Sequence, residues 1–312
     1  MTRRMTMTPD ALKKHLKTEA ARVEAFLSGC LGLLPGLPEG LRAAMDYSLL
    51  AGGKRLRPVL CLTFAKAFGE KNGQACPSIT DAVMPFAAAI ECIHTYSLIH
   101  DDLPAMDDDD MRRGRPSNHK QFDEATAILA GDALVTDAFA FMASAGTMLP
   151  ADRVLAAVAC MATAAGGPGM VGGQYLDMQY TLAKTATLEQ LRGMHAMKTG
   201  ALITASCLTG AILGGASAAE QQAVAVYGKS FGSAFQIMDD VLDVIGDPAL
   251  LGKPIGSDAA NEKPTYPSLL GLEESRILAR EEAEKAIAAL PDAGSQTAFL
   301  HALARYVVER NS

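Results

Sequence analysis

No tryptophan occurs among the 312 residues, and aromatic side chains make up only 5% of them. Strands draw on aromatic and β-branched residues, and strict two-residue alternation of apolar side chains is hard to find here, which excludes a β-rich fold. Cations are also in the minority: 28 Lys and Arg against 35 Asp and Glu give a formal net charge of -7. A general nucleic-acid binder is thereby disfavoured, because backbone phosphates call for an excess of Lys and Arg on one face. The six cysteines, Cys30, Cys61, Cys76, Cys92, Cys160 and Cys207, contain no C-x-x-C pair and read as reduced thiols. Residues 1–10 hold two arginines with no apolar run behind them, so a secretory signal is not expected and a cytoplasmic location is. Charge is missing between Lys198 and Glu220, a stretch long enough to span a bilayer. Its Ala, Gly, Ser and Thr content reads instead as a small-residue core helix, and no membrane anchor is expected.

Hydrophobic residues at 49% and charged residues at 20% suffice for a sizeable core and carry no signature of disorder. Apolar positions recur at helical spacing, as in Leu41, Met45, Leu49 and in Ala82, Phe86, Ile90, Ile93, so an all-α fold is expected. Gly, Pro and polar residues break the pattern at 34–40, 71–78, 114–117, 148–151, 166–173 and 247–267. None resembles an interdomain linker, and one domain over 1–312 is expected. The last break sets Lys253, Asp258 and Lys263 among Gly and Pro, as in a lid or binding loop.

Acidity is concentrated. Six of the ten residues from Asp101 to Asp110 are Asp, followed at once by Arg112 and Arg113. Oxygen donors without Cys or a paired His suit a hard cation, and Mg²⁺ is typically held by one or two carboxylates plus a substrate's phosphates. On an ideal helix a residue six positions on lies about 120° around the axis, so Asp107 can join Asp101 only if the helix ends between them, and Pro104 supplies the break. A second cluster, Asp239, Asp240 and Asp243, lies inside the apolar run 235–245. Carboxylates in such a setting need a metal or a basic partner, since isolated buried charge is costly. Two such clusters could hold divalent ions on one polyphosphate. Cations for the remaining phosphate charge are present in Gly52-Gly53-Lys54-Arg55-Leu56-Arg57-Pro58, a basic turn entering a helix without the P-loop spacing. Residues 167–172 fit G-x-G-x-x-G formally, but no strand precedes them and they read as a helix-to-helix break.

Taken in order, GGKRLRP at 52–58, HTYSLIHDDLPAMDDDDMRRGRPSNH at 94–119, GDAL at 131–134, GGQ at 172–174, KTG at 198–200, FQIMDDVLD at 235–243, GK at 252–253 and KPTYP at 263–267 resemble the short-chain trans-polyprenyl diphosphate synthases, most of all their bacterial farnesyl diphosphate synthase branch. The resemblance implies a helical bundle around a deep central cavity, usually a homodimer, with Mg²⁺, three ions per active site, as cofactor. It implies head-to-tail condensation of isopentenyl diphosphate with an allylic diphosphate, dimethylallyl or geranyl. By position, Asp101, Asp102 and Asp107, then Asp239 with Asp240 and Asp243, resemble the metal-ligand sets. Lys54, Arg57, His94 and Arg113 match the isopentenyl diphosphate site; Arg112, Lys198, Thr199, Gln236, Lys253 and Lys263 match the allylic diphosphate site.

Tyr96, more than one turn deeper than Asp101, is expected to stop the growing chain near fifteen carbons. The two extra residues between Asp102 and Asp107 fit bacterial farnesyl and plant-type geranylgeranyl branches alike, so geranylgeranyl diphosphate is the alternative product. A terpene cyclase would share the fold but normally lacks the basic site represented by Lys54, Arg57 and Arg113. A silent regulatory subunit usually loses one aspartate cluster, and both are intact here.

Overall fold

A computed structural model describes residues 7–74, 76–245, 263–291 and 294–310. The described chain is helical almost throughout: α1 (Pro9–Cys30), α2 (Glu39–Leu49), α3 (Leu56–Lys71), α4 (Cys76–Asp101), α5 (Asn118–Gln121), α6 (Glu124–Ser144), α7 (Ala151–Ala165), α8 (Met170–Ala183), α9 (Leu188–His195), α10 (Ala201–Gly214), α11 (Ala218–Ile245), α12 (Tyr266–Leu270), α13 (Leu272–Ala289) and α14 (Ser295–Glu309). The all-α expectation holds; among the described residues the one strand pairing is an antiparallel ribbon of two-residue strands, β1 (Met111–Arg112) and β2 (Arg115–Pro116). Gly114, at φ 76°, turns the chain between them.

Local signals set the boundaries. Thr8 caps α1 through its hydroxyl, with Pro9 in the first turn; Asp123 caps α6; Thr187 and Gln190 form a capping box on α9. The basic turn enters α3 as expected, with Arg55 left-handed at φ 47° and Pro58 in the first turn. The helix before the first acidic cluster ends at Asp101.

α4 is the central element, buried along Val83, Phe86, Ala87, Ile90 and Ile93 and flanked by α6 and α3. The core continues through α10 into α11, α13 and α14, where Tyr227, Phe231 and Phe299 are fully buried together with Phe64 of α3. Each such side chain contributes about 1.5–3 kcal/mol relative to exposure. The charge-free stretch forms α10, almost wholly buried against α3, α7 and α11. Its small residues have a steric reason: a Cβ on Gly210 would lie 2.1 Å from the Cys61 carbonyl oxygen. By length and composition alone, residues 78–101, 124–147, 151–183 and 188–214 could each cross a membrane. Packing inside the protein is close for 78–101 and 188–214 and looser for 124–147 and 151–183. Cys30, Cys61, Cys92, Cys160 and Cys207 are free thiols.

Candidate active site

The C-terminal end of α4 delivers the first acidic cluster. Asp102 N–H still donates to Leu98 O at 3.2 Å, after which the chain folds back so that Asp107 N–H donates to Asp101 O at 2.9 Å. The break after Asp102 thus brings Asp107 beside Asp101. Both Asp101 and Asp102 have raised pKa values. For Asp101 burial pushes it to about 6, with Lys198 opposing and Asp107 adding to the rise. For Asp102 burial dominates, against the pull of Arg112. Arg112 reaches back from β1 to grip Asp102, with Nε 2.9 Å from Oδ1 and 3.2 Å from Oδ2, and it also contacts Asp109 at 3.2 Å.

The second cluster lies on α11. Asp240 is buried, accepting from Gln236 Nε2 at 2.9 Å and from Tyr266 N–H at 3.1 Å. Asp243 is also buried, whereas the Asp239 side chain is 43% exposed. Of the three, Asp239 is therefore the most accessible. Its partner was not foreseen: Arg310, just past α14, donates to it and covers the Phe235 ring at 4.5 Å.

Lys198 and Thr199 sit on a π-helical turn, Ala196–Gly200, between α9 and α10. Such turns widen a helix by one residue and are frequent at functional positions. Lys198 pairs with Asp177 of α8, and Thr199 Oγ1 donates to Gln236 Oε1 at 2.7 Å. Against the cost of burial, Lys198 and Lys263 hold Asp177 below the usual carboxylate range. Gly173, from the GGQ motif, permits this approach: a Cβ there would lie 2.1 Å from Lys198 N. Lys263 reaches Asp107 at 3.4 Å.

A cleft of about 390 Å³ is lined among others by Arg57, His94, Tyr96, Asp101, Gln174, Lys198 and Thr199. Tyr96 is buried in its wall, edge-on to His100 at 5.7 Å. Burial and the cations Arg57, Arg113 and Arg112 hold the His94 imidazole well below its ordinary pKa, hence neutral. Arg57 Nε is buried with no hydrogen-bond partner, as are both amide atoms of Gln174. Burial also works against the charge of Arg57, partly offset by Glu91 and Asp239. A buried guanidinium that lacks a full set of acceptors is suited to an anion. Lys54 faces an adjoining cleft with Phe235 and Arg310, and burial together with Arg310 lowers its pKa, with Asp239 opposing.

Arg113 arches over the basic turn to donate to Gly52 O. Arg55, the central cation of that turn, points the other way. It is buried, 2.7 Å from buried Glu91 and 2.8 Å from Leu49 O, and therefore braces the turn. Of the sequence-expected residues, Arg57, His94, Tyr96, Asp101, Lys198 and Thr199 line the first cleft, while Asp102, Arg112 and Arg113 line a separate pocket. Lys54 faces the cleft with Arg310, Gln236 lies behind Thr199, and Lys253 falls outside the described residues. Arg310, Asp177 and the Arg55–Glu91 pair were missed. Only Asp177, three residues after Gln174 of GGQ and so on the same helix face, had a local signal.

Residues 38–302 match the Polyprenyl synthetase family model. A farnesyl diphosphate synthase of Micrococcus luteus is 48% identical over 87% of this chain and 89% of its own length. A geranylgeranyl diphosphate synthase of Cyanophora paradoxa is 43% identical over 89% and 90%. The crystal structure of a geranyltransferase from Legionella pneumophila superposes with a TM-score of 0.81 at 34% identity, covering 96% of this chain and 98% of that one. On these matches the chain belongs to the polyprenyl synthetase family.

Proposed function

We propose that this protein condenses isopentenyl diphosphate head-to-tail with dimethylallyl or geranyl diphosphate, giving (2E,6E)-farnesyl diphosphate and diphosphate. One observation carries the reading: a carboxylate of each acidic cluster is paired with a cation of the phosphate-binding sets or with Arg310. Arg112 holds Asp102, Lys263 holds Asp107 and Arg310 holds Asp239. A metal-bound diphosphate would exchange these partners, carboxylates turning to the metal and cations to the phosphate oxygens, so that no buried charge is left unpaired. The donors available from Asp101, Asp102, Asp107, Asp239 and Asp243 are all carboxylate oxygens, which fits Mg²⁺. When bound, Mg²⁺, three ions in this reading, would neutralise charge on the departing diphosphate.

The chain's own residues do the rest. Arg112, Lys198 and Lys263, with Lys253, bind the allylic diphosphate and stabilise charge developing on its leaving oxygens. Lys54, Arg57 and Arg113 bind isopentenyl diphosphate, with neutral His94 as a hydrogen-bond partner. Thr199 directs its hydroxyl oxygen dipole at the allylic cation, and Gln236, which accepts from Thr199 and donates to Asp240, holds Thr199 in place. The cation alkylates the isopentenyl double bond, and proton loss to the released diphosphate completes the product. That route requires no separate protein base. Tyr96 closes the cleft below Asp101, which favours a fifteen-carbon product over a twenty-carbon one.

The same reading makes residues 1–312 one synthase domain of a soluble, cytoplasmic homodimer. Ile128, Leu129, Met148 and Leu155 on and beside α6 and α7 are exposed, an apolar surface that a second copy would cover. The test is transfer of label from isopentenyl diphosphate into organic-extractable material after dephosphorylation. Transfer that requires both an allylic diphosphate and Mg²⁺ supports the reading; a diphosphate-free hydrocarbon formed from the allylic substrate alone indicates a cyclase and refutes it.

A further inference from the structure

Beyond Asp107, the loop that carries the first acidic cluster is drawn onto the start of α5. Ser117 N–H donates to Asp110 O at 2.9 Å, and Asp108 N–H donates to Leu103 O at 3.1 Å. Asp108 takes a left-handed conformation at φ 51°. As a result, one carboxylate oxygen each from Asp108 and Asp110 and a ring nitrogen of His119 lie within 4.8 Å of one another. The two aspartates are exposed, but His119 is only 7% exposed. Its Nδ1 lies 3.2 Å from Ser117 Oγ, and its Nε2 is buried with no hydrogen-bond partner.

A buried polar atom left unsatisfied costs about 1–3 kcal/mol. Histidines that bind metals characteristically have their second nitrogen fixed by a hydrogen bond, which sets the tautomer. The Ser117 hydroxyl can do that here by accepting from Nδ1–H, which leaves the Nε2 lone pair available to a ligand. One imidazole and two carboxylates are a donor set for a borderline ion rather than for Mg²⁺, which prefers oxygen alone.

We infer that Asp108, Asp110 and His119 form a second, separate divalent-cation site, selective for ions of the Zn²⁺ class, that ties the loop bearing Asp107 and Arg112 to α5. At bond lengths of about 2.0–2.2 Å, ligand atoms around Zn²⁺ stand roughly 3.3 Å apart. The exposed Asp108 and Asp110 side chains supply the remaining closure by rotation. Asp110 must also leave Lys120, which contacts it at 2.8 Å. Lys120 is therefore an internal competitor for the site.

The test uses the full chain without an affinity tag, stripped with chelator, and titrated calorimetrically with Zn²⁺ in a large excess of Mg²⁺ that occupies the oxygen-only ligands. Co²⁺ serves as the spectroscopic probe. A single Zn²⁺ per chain is expected, with Co²⁺ absorption bands that change on His119→Ala. Affinity falls at least about tenfold in His119→Ala and in the Asp108→Asn/Asp110→Asn double variant, whose substitutions are exposed and leave the core untouched. Lys120→Met tightens binding, which a merely structural role for these side chains would not produce. Absence of Zn²⁺ binding in the wild type, or equal binding in the double variant, overturns the inference. Because no substrate is present, either result is independent of the proposed condensation.

Discussion

Removing Glu91 strands the most enclosed cation of the basic turn. Arg55 and Glu91 are each 2% exposed and 2.7 Å apart, and Glu24 approaches Arg55 only from the surface at 3.5 Å. Breaking a buried ion pair from one side costs about 3–5 kcal/mol, because the survivor keeps its desolvation penalty without its partner. Replacing both members by apolar residues of similar volume is often neutral. Glu91→Ala is therefore expected to lower the thermal midpoint by roughly 6–10 °C, at about 2 °C per kcal/mol for a chain of this size. Arg55→Met/Glu91→Leu should recover most of that loss. The pair also holds Lys54 and Arg57 on either side of Arg55, so the KM for isopentenyl diphosphate should rise in Glu91→Ala more than the KM for the allylic substrate. Differential scanning of the three proteins, with both KM values measured below the melting range, checks the argument. A Glu91→Ala variant within about 1 kcal/mol of wild type, or a double variant no more stable than the single, would refute it.

Tyr96→Ala opens the floor of the cleft and should shift the main product from fifteen carbons to twenty or more, read by chromatography of the dephosphorylated alcohols. An unchanged product would remove Tyr96 as the stop. Asp101 is protonated more readily in the folded protein, near pH 6 against 3.8 in its ordinary state. Its contribution to the stability of the metal-free protein is fully present below pH 3.8 and lost as pH rises through 6, up to about 3 kcal/mol in all. Asp101→Asn should therefore gain stability relative to wild type between pH 5 and pH 8 in EDTA, seen in melting curves, while losing Mg²⁺-dependent turnover. A pH-independent difference would contradict that. Lys198→Ala, Thr199→Ala and Gln236→Ala should slow single turnovers rather than merely raise KM, by about 2–4 kcal/mol of barrier for a lost charge-stabilising donor; unchanged single-turnover rates would dismiss their role.

The helical class was readable because apolar spacing is a local property, and so were the ends of α3 and α4, where Pro58, Pro104 and the glycines act within a turn. That the two acidic clusters could share one polyphosphate followed from their chemistry and not from periodicity, which places no helix against another. The roles inside the basic turn were less legible. Lys54, Arg55 and Arg57 look alike in composition; the resemblance singled out Lys54 and Arg57, and the buried Glu91 on α4 gives the physical reason that Arg55 is the brace. Arg310 meets Asp239 across 71 residues, with no local pattern to announce it. The π turn at Ala196–Gly200 was hidden because Lys198-Thr199-Gly200 reads as ordinary helix until α8 is packed against it.

The central claim is Mg²⁺-dependent chain elongation to fifteen carbons. Incubating the purified protein with labelled isopentenyl diphosphate and either dimethylallyl or geranyl diphosphate, with Mg²⁺ or with EDTA, then separating the dephosphorylated alcohols, measures it directly. Farnesol from both allylic substrates, formed only with Mg²⁺, is the predicted result; geranylgeraniol would contradict the assignment of Tyr96, and no elongation with both substrates and Mg²⁺ would contradict the account itself.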